Sequence, residues 1–148
     1  MTFLILVFFR LLVWLGEVKS EVVGIPDGDT IELKMVYNGE NARNRKGKNL
    51  RIRLAHVDCP EKGKPFFKNA KQFTSNLCFR KTVTVIHANK FDRYGRLIGE
   101  VILPNGNNLN KELIKAGLAI HFKKYSSSSI YSNLELQARI RKLGIWHY

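Results

Sequence analysis

Short segments with alternating apolar and polar residues recur along this chain and limit the folds that it can adopt. The strictest lies at residues 50–54, where Arg51 and Arg53 separate three aliphatic residues. Successive side chains of a strand point to opposite faces, so the aliphatic residues are expected to face a core and the arginines to face away from it. The same interpretation predicts four further strands, at residues 22–25, 30–35, 82–86 and 97–103.

Three segments carry the signals of helices. Between residues 65 and 77, apolar side chains stand three or four positions apart, which aligns them on one helical face. A second helix is predicted over residues 109–114, with Gly117 as its stop. Ser-Asn-Leu-Glu at 132–135 is a capping-box pattern that opens a third helix, which Gly144 can end.

Five strands with interspersed helices in 148 residues predict one domain of the α+β class. The expected architecture is a small five-stranded OB-fold β-barrel with three helices. Hydrophobic residues make up 45% of the chain, which is enough to build a core and excludes disorder of the whole chain.

The charge of the chain points to a polyanionic partner. There are 25 Lys and Arg residues against 12 Asp and Glu residues, which gives a net charge of +13. Such a chain attracts nucleic acids by Coulomb forces. A ribosome-like or antimicrobial protein would share this charge, but that reading leaves the acidic residues between the arginines unexplained. Neither a dinucleotide-binding glycine motif nor a Walker motif occurs, so phosphate binding must rely on side chains.

The first 20 residues differ from the rest. Residues 3–9 are uninterrupted apolar, and the apolar stretch is too short to span a bilayer comfortably. We interpret residues 1–20 as a hydrophobic N-terminal segment, a signal peptide or a membrane anchor, and residues 21–148 as the folded domain. Val18 and Ser20 are acceptable near a cleavage site. The expected location is secreted or in the cell envelope, with a cytoplasmic or membrane-anchored protein as the alternative.

Three groups of residues can carry chemistry. Each of them alone, at 27–29, 51–61 and 92–96, also reads as an ordinary turn. Together they answer the needs of phosphodiester hydrolysis, in which negative charge grows on the phosphate. Carboxylates such as Asp29 and Asp58 are hard donors for Ca²⁺ or Mg²⁺. Arginines can grip the phosphate in two-point contacts, and a further carboxylate can orient or deprotonate water.

The ordered motifs Asp-Gly-Asp-Thr at 27–30, Arg-Leu-Ala-His-Val-Asp-Cys-Pro-Glu at 53–61 and Asp-Arg-Tyr-Gly-Arg at 92–96 resemble the staphylococcal (micrococcal) nuclease family. The resemblance continues to Leu-Gly-Ile-Trp at 143–146. It implies a Ca²⁺-dependent endonuclease of DNA and RNA with little sequence preference, which leaves 3′-phosphate and 5′-hydroxyl ends. It implies no obligate protein partner, and we expect a monomer.

Carried over position by position, the resemblance assigns Asp29, Asp58 and the backbone carbonyl of Cys59 to Ca²⁺. It assigns Arg53 and Arg96 to the phosphate and Glu61 to the activation of water. Four further residues are expected to contact nucleic acid: Arg93, Tyr94, Lys123 and Tyr125. Lys123 stands where a second family tyrosine is expected, which exchanges stacking for charge.

One non-catalytic alternative remains beside the nuclease interpretation. Degenerate relatives of the family bind nucleic acid without cutting it, but they lose the catalytic charges that this chain keeps.

The cysteines, Cys59 and Cys78, are predicted to be free thiols, although export would allow them to pair. The basic run at residues 41–53 reads either as a phosphate-tracking surface or as a solvated loop.

Overall fold

The computed structural model of the protein describes residues 15–35 and 49–148. Residues 1–14 and the basic residues at 43–48 lie outside the described residues, so the predictions made for them stay predictions. The elements in chain order are β1 Gly16–Asp27, β2 Thr30–Leu33, β3 Leu50–Leu54, β4 Val57–Asp58, α1 Phe67–Cys78, β5 Thr82–Phe91, β6 Leu97–Ile102, α2 Leu109–Lys115, β7 Ile120–His121 and α3 Ser129–Ile140.

In the described part of the chain, five strands close into a barrel in the order β1-β2-β3-β6-β5. Neighbouring strands run antiparallel except β3 and β6, which run parallel. Aliphatic side chains from every strand fill the barrel, among them Ile31, Ile52, Val85 and Val101. The predicted five-stranded OB-fold barrel with three helices is confirmed. The short β4–β7 sheet, which the sequence did not predict, lies beside it.

Strand β1 begins at Gly16, six residues before the predicted start at Val22. Its residues 16–21 pair with residues 82–87 of β5, while its later residues pair with β2. The Ser20 hydroxyl donates to the carbonyl oxygen of Lys34. Five of the 12 residues of this strand therefore lie upstream of the predicted domain boundary at residue 21.

Helix α1 packs against the β1–β2 turn, which it fixes in place. The Thr74 hydroxyl donates to the Gly28 carbonyl over 2.6 Å in a buried contact. A Cβ at Gly28 would lie 2.8 Å from the Cβ of Ala70, so only glycine allows this approach. The two acids that flank Gly28 are thus held against the helix.

Helix α2 is tied to the barrel by one buried amide. The Asn110 side chain accepts from the Val101 N–H over 3.1 Å and donates to the carbonyls of Ala55 and Gly99. Asn108 caps the helix by accepting from the Lys111 N–H. Gly117 follows the helix with φ 70°, as a stop residue should.

Helix α3 begins at Ser129, so the capping box predicted at residues 132–135 is wrong. Ser128 is the N-cap, and its hydroxyl accepts from the Tyr131 N–H. Glu135, expected to close the box, is instead buried and accepts from the backbone N–H of His121 over 2.6 Å. This contact anchors β7 beside β4. The helix ends at Ile140, before the predicted stop.

Cys59 and Cys78 are both buried and free, as predicted. Burial raises the pKa of the Cys78 thiol to about 12, which disfavours its reactive thiolate form. Within residues 15–35 and 49–148, no helix has the length and apolarity needed to cross a membrane.

Candidate active site

A cavity of about 300 Å³ opens where the β1–β2 turn, the segment around β4 and the β5–β6 hairpin meet. All six residues that the sequence assigned to metal binding or catalysis line it: Asp29, Arg53, Asp58, Cys59, Glu61 and Arg96. Residues up to 67 positions apart along the chain are thereby brought to one place.

Asp29 lies at the bottom of the cavity, where only 7% of its surface is exposed. Its Oδ2 accepts from the Cys59 N–H over 2.8 Å and lies 3.4 Å from Nη2 of Arg53. Burial and the neighbouring Asp27 raise the pKa of Asp29 to about 7, although Arg53 lowers it. The positive charge around this carboxylate is too small to stabilise its ionised form fully.

Arg53 stands at the end of β3 with its guanidinium held by four contacts. Nη1 donates to the carbonyls of Leu54 and Val57 over 2.8 and 2.9 Å. Nη2 lies 3.2 Å from Oδ1 of Asp58 and 3.4 Å from Oδ2 of Asp29. The side chain is therefore fixed in one orientation before any ligand arrives.

Asp58 on β4 and Glu61 beyond it provide the outer acids of the cavity. Burial raises the pKa of Asp58 above its usual value, and the Glu61 charge adds to this, while Arg53 opposes it. Glu61 is exposed, and among the described residues no cation forms an ion pair with it. Its carboxylate is thus free to bind water.

Arg96 enters the cavity from the β5–β6 hairpin. Its Nε donates to Oδ2 of Asp92 over 2.7 Å, and its Nη1 donates to the Thr30 hydroxyl over 3.1 Å. The exposed ring of Tyr94 lies 5.3 Å from its guanidinium carbon. Gly95, with φ 76°, allows the tight turn that brings Arg96 back towards Asp92.

The four predicted nucleic-acid contacts lie outside the cavity lining. Arg93 Nη2 donates to the hydroxyl of Tyr94, a residue that is 67% exposed. Tyr125 is 73% exposed, and Lys123 pairs with Glu135 at 3.8 Å. Both tyrosines are exposed aromatic residues, but Arg93 and Arg96 lie over the Tyr94 ring and Lys124 lies over the Tyr125 ring.

Tyr125 nevertheless connects to the cavity through a residue that the sequence did not reveal. Its ring contacts the Phe122 ring edge to face at 5.0 Å, and the Phe122 ring lies 5.7 Å from the Arg53 guanidinium carbon. No sequence signal identifies Phe122, because its position follows from the unpredicted β4–β7 pairing.

Two further acids belong to the site although no role was assigned to them. Asp27 lines the cavity and its Oδ1 accepts from the Asp29 N–H over 3.2 Å. Asp92 holds Arg96, as described above. Both lie inside the motifs at 27–30 and 92–96, but Asp is also a common turn residue, so the sequence alone assigns them no role.

The donor chemistry of the cavity fits a hard divalent cation. Asp29 is buried beside Asp27, and Arg53 and the Cys59 N–H offset this only in part, so an added cation would relieve the imbalance. Across residues 15–35 and 49–148, no three His, Cys, Asp or Glu side chains form a ready-made metal cluster. A hard cation such as Ca²⁺ accepts carbonyl and water oxygens beside carboxylates.

Comparison with known proteins gives consistent matches over most of the chain. A family model described as Staphylococcal nuclease homologue matches residues 51–148. A protein of Escherichia coli O157:H7 named as an uncharacterized endonuclease is 34% identical over 143 residues, covering 97% of this chain and 86% of that protein. A micrococcal nuclease of Shigella flexneri is 33% identical over 142 residues, covering 88% of this chain and 75% of its own. The region matched by the family model includes Arg53, Asp58, Glu61 and Arg96.

Proposed function

Because this chain belongs to the staphylococcal nuclease family and is a nuclease, we propose that it cleaves DNA and RNA internally in a Ca²⁺-dependent reaction with little sequence preference. The products of the proposed reaction are 3′-phosphate and 5′-hydroxyl ends. The observation that carries this proposal is the convergence of Asp29, Arg53, Asp58, Glu61 and Arg96 on one cavity.

Asp29, Asp58 and the backbone carbonyl of Cys59 would hold the Ca²⁺. Bound there, the ion supplies positive charge to the phosphate and a site for water. The elevated pKa of Asp29 means that protons compete with the ion for this carboxylate below about pH 7.

Arg53 and Arg96 neutralise the phosphate from two directions in this mechanism. Each is fixed by its own partners, the carbonyls of Leu54 and Val57 for Arg53 and the Asp92 carboxylate for Arg96. Because these side chains do not need to reorganise, their charge acts fully on the transition state. Loss of one such donor typically costs about 100- to 1,000-fold in kcat.

Glu61 receives the proton from the attacking water. Its carboxylate lines the cavity and is exposed, so water reaches it directly. It lies three residues beyond Asp58 and stays outside the ion-paired cluster around Arg53. This placement leaves its oxygens available as hydrogen-bond acceptors for the nucleophile.

The direct test incubates the purified chain with single- and double-stranded DNA and RNA in Ca²⁺, Mg²⁺ or chelator. We expect cleavage in Ca²⁺, none in chelator, and ends that a 3′-phosphatase alters. Glu61→Gln should lower kcat strongly, while Glu112→Gln on α2, outside the cavity, should leave activity unchanged. Chelator-insensitive cleavage or a fully active Glu61→Gln variant would contradict the proposal.

The same experiment separates the enzyme from a module that only binds nucleic acid. A binding module would shift the mobility of the nucleic acid without shortening it in any of the metal conditions. Retention of the complete charge set in the cavity favours the enzyme.

We also propose that the nuclease acts outside the cytoplasm and as a monomer. The apolar residues 3–9 and the absence of any need for a second copy to complete the cavity support this. Mass spectrometry of the N-terminus after expression in the native host tests export. Light scattering of the purified chain at micromolar concentration tests the oligomeric state.

A further inference from the structure

The orientation of Arg53 depends on the turn between β3 and β4. Its Nη1 donates to the carbonyls of Leu54 and Val57, which lie on the two sides of residues 55–56. Any change in the path of this turn moves one carbonyl relative to the other. The guanidinium would then lose the pair of acceptors that aims it into the cavity.

His56 lies in this turn and has an unusual backbone conformation. Its φ is 69°, in the left-handed region that residues with a Cβ rarely adopt. Such a conformation persists only where the surrounding structure holds it. The side-chain contacts of His56 show what holds it here.

Three neighbours from distant parts of the chain fix the His56 imidazole. Its Nδ1 lies 2.6 Å from the Ser126 hydroxyl, and its Nε2 lies 3.4 Å from Oε1 of Glu100. Its ring stacks on Tyr131 at 4.6 Å with 21° between the planes. Glu100 is held in turn by the Tyr131 hydroxyl at 3.1 Å and by the Asn108 amide.

The backbone of His56 carries a further connection to the site. Its carbonyl accepts from the N–H of Phe122 over 2.9 Å. The Phe122 ring in turn lies 5.7 Å from the Arg53 guanidinium carbon. The turn is therefore tied on its side-chain face to β6 and α3 and through its backbone to the segment after β7.

We propose that His56 is a positioning residue for Arg53. The clamped imidazole fixes the left-handed turn, the turn places the two carbonyls, and the carbonyls aim the guanidinium at the phosphate. The last of these steps rests on the proposed nuclease function, whereas the first two concern the geometry of the chain alone. His56 itself does not line the cavity.

The test replaces His56 without straining the backbone. Glycine adopts φ 69° freely, so His56→Gly removes the clamp and is expected to leave the fold intact. We expect kcat to fall about tenfold or more, with KM changed less than about threefold, because misplaced charge affects the transition state most. Asn89→Gly is the matched control, since Asn89 also has a positive φ, 55°, but is exposed on β5 and should keep full activity.

A conservative variant distinguishes clamping from mere presence of a side chain. His56→Asn tolerates the left-handed conformation and can place an amide near the position of Nδ1, within reach of Ser126. It should recover part of the lost kcat. If glycine fails to fold, the asparagine variant alone should still lower kcat relative to the unmodified chain, because it lacks the Glu100 contact and the stacked ring.

A second readout does not depend on activity. In nuclear magnetic resonance of the arginine guanidinium groups, Arg53 Nη1, which donates two hydrogen bonds, should rotate slowly in the unmodified chain. In His56→Gly this rotation should be faster, so that the signals of the group average. Unchanged kcat, or unchanged Arg53 signals, would overturn the positioning role. Failure of the unmodified chain to cleave nucleic acid would instead overturn the nuclease proposal, and the resonance experiment would still decide the role of His56.

Discussion

The Asp92 carboxylate accepts hydrogen bonds from both the side chain and the backbone of Arg96. Oδ2 accepts from Arg96 Nε over 2.7 Å, and Oδ1 accepts from the N–H groups of Arg96 and Tyr94 over 3.0 and 2.9 Å. Burial raises the pKa of Asp92, but these hydrogen bonds outweigh it and leave the pKa below its usual value. One acid thus shapes the hairpin and aims the arginine at its tip.

Replacement of this acid should separate the two tasks. Asp92→Asn keeps an oxygen for the two backbone N–H groups but loses the charge opposite Arg96 Nε. We expect kcat to fall about tenfold, while the free energy of unfolding changes by about 1 kcal/mol or less. Steady-state kinetics and urea unfolding of the same preparation measure both. Unchanged kcat would show that Arg96 finds its position without Asp92.

Removal of the Asp29 charge should stabilise the metal-free fold. Burial, assisted by Asp27, raises the pKa of Asp29 from 3.8 to about 7, so the folded chain binds a proton that the unfolded chain has lost between these values. The stability linked to this proton is complete below pH 3.8 and lost as the pH rises through 7. In chelator at pH 8, Asp29→Asn should raise the free energy of unfolding by roughly 2–4 kcal/mol.

With Ca²⁺ present, the unmodified chain should instead be more stable than Asp29→Asn. At the proposed Ca²⁺ site the ion would stabilise the folded unmodified chain by mass action, whereas the asparagine variant would offer a weaker site. Urea unfolding with and without Ca²⁺ makes the comparison. Equal stabilisation of both proteins by Ca²⁺ would exclude Asp29 as a ligand.

Glu100 should support the fold at neutral pH and lose this effect in acid. The hydrogen bond from His56, joined by those from Asn108 and Tyr131, lowers the pKa of Glu100 from 4.5 to about 2 against the effect of burial. Its contribution is therefore present above pH 4.5 and lost as the pH falls towards 2. Glu100→Gln should cost about 1–2 kcal/mol at pH 7, after allowance for solvent screening. A difference in unfolding free energy between the two proteins that stays constant down to pH 2 would contradict this explanation.

Truncation at the predicted domain boundary should weaken the barrel. A chain that starts at residue 21 loses most of the pairing between Gly16–Glu21 and β5, whereas a chain that starts at residue 15 keeps it. We expect the shorter chain to lose on the order of 3 kcal/mol of unfolding free energy relative to the longer one. Thermal unfolding of the two truncated chains provides the measurement. Equal melting temperatures would mean that this half of β1 is dispensable.

Gly117 should tolerate no side chain, because a Cβ at this position would clash with the backbone of Leu143 near the C-terminus. A Cβ there would lie 2.2 Å from the Leu143 carbonyl oxygen. Gly106 also has a positive φ, 87°, but a Cβ would meet nothing within 4 Å. Gly106→Ala should cost about 1 kcal/mol through backbone strain alone, and Gly117→Ala more than about 3 kcal/mol. Similar losses in urea unfolding would show that the Leu143 segment moves away freely.

The strands of the barrel could be predicted because their pattern is local. The predicted range of β3 agrees with the structure, since strict alternation surrounds Arg51 and Arg53. The start of β1 could not, because residues 16–20 gain their strand conformation from β5, more than 60 positions away. The start of α3 was misplaced because Ser128 and Ser132 both suit a cap, and the burial of Glu135 against His121 decides between them.

The candidate site followed from motifs in which charged residues are close together in sequence. The contacts that hold these charged residues in place could not be predicted from the sequence. Phe122 reaches Arg53 only through the pairing of β7 with β4, and His56 meets Ser126 across 70 positions. Sequence patterns reveal which charges a site contains, whereas tertiary packing determines what aims them.

The barrel is closed by the parallel contact of β3 with β6, in which Arg53 stands opposite Ile98. Arg96 immediately precedes β6, so the two arginines come to line one cavity only when these strands join. Parallel pairs of distant strands form slowly, because a long loop must be ordered first. A molecule in which β3 and β6 have not yet paired, or have already separated, thus lacks the arrangement of arginines that the proposed reaction requires.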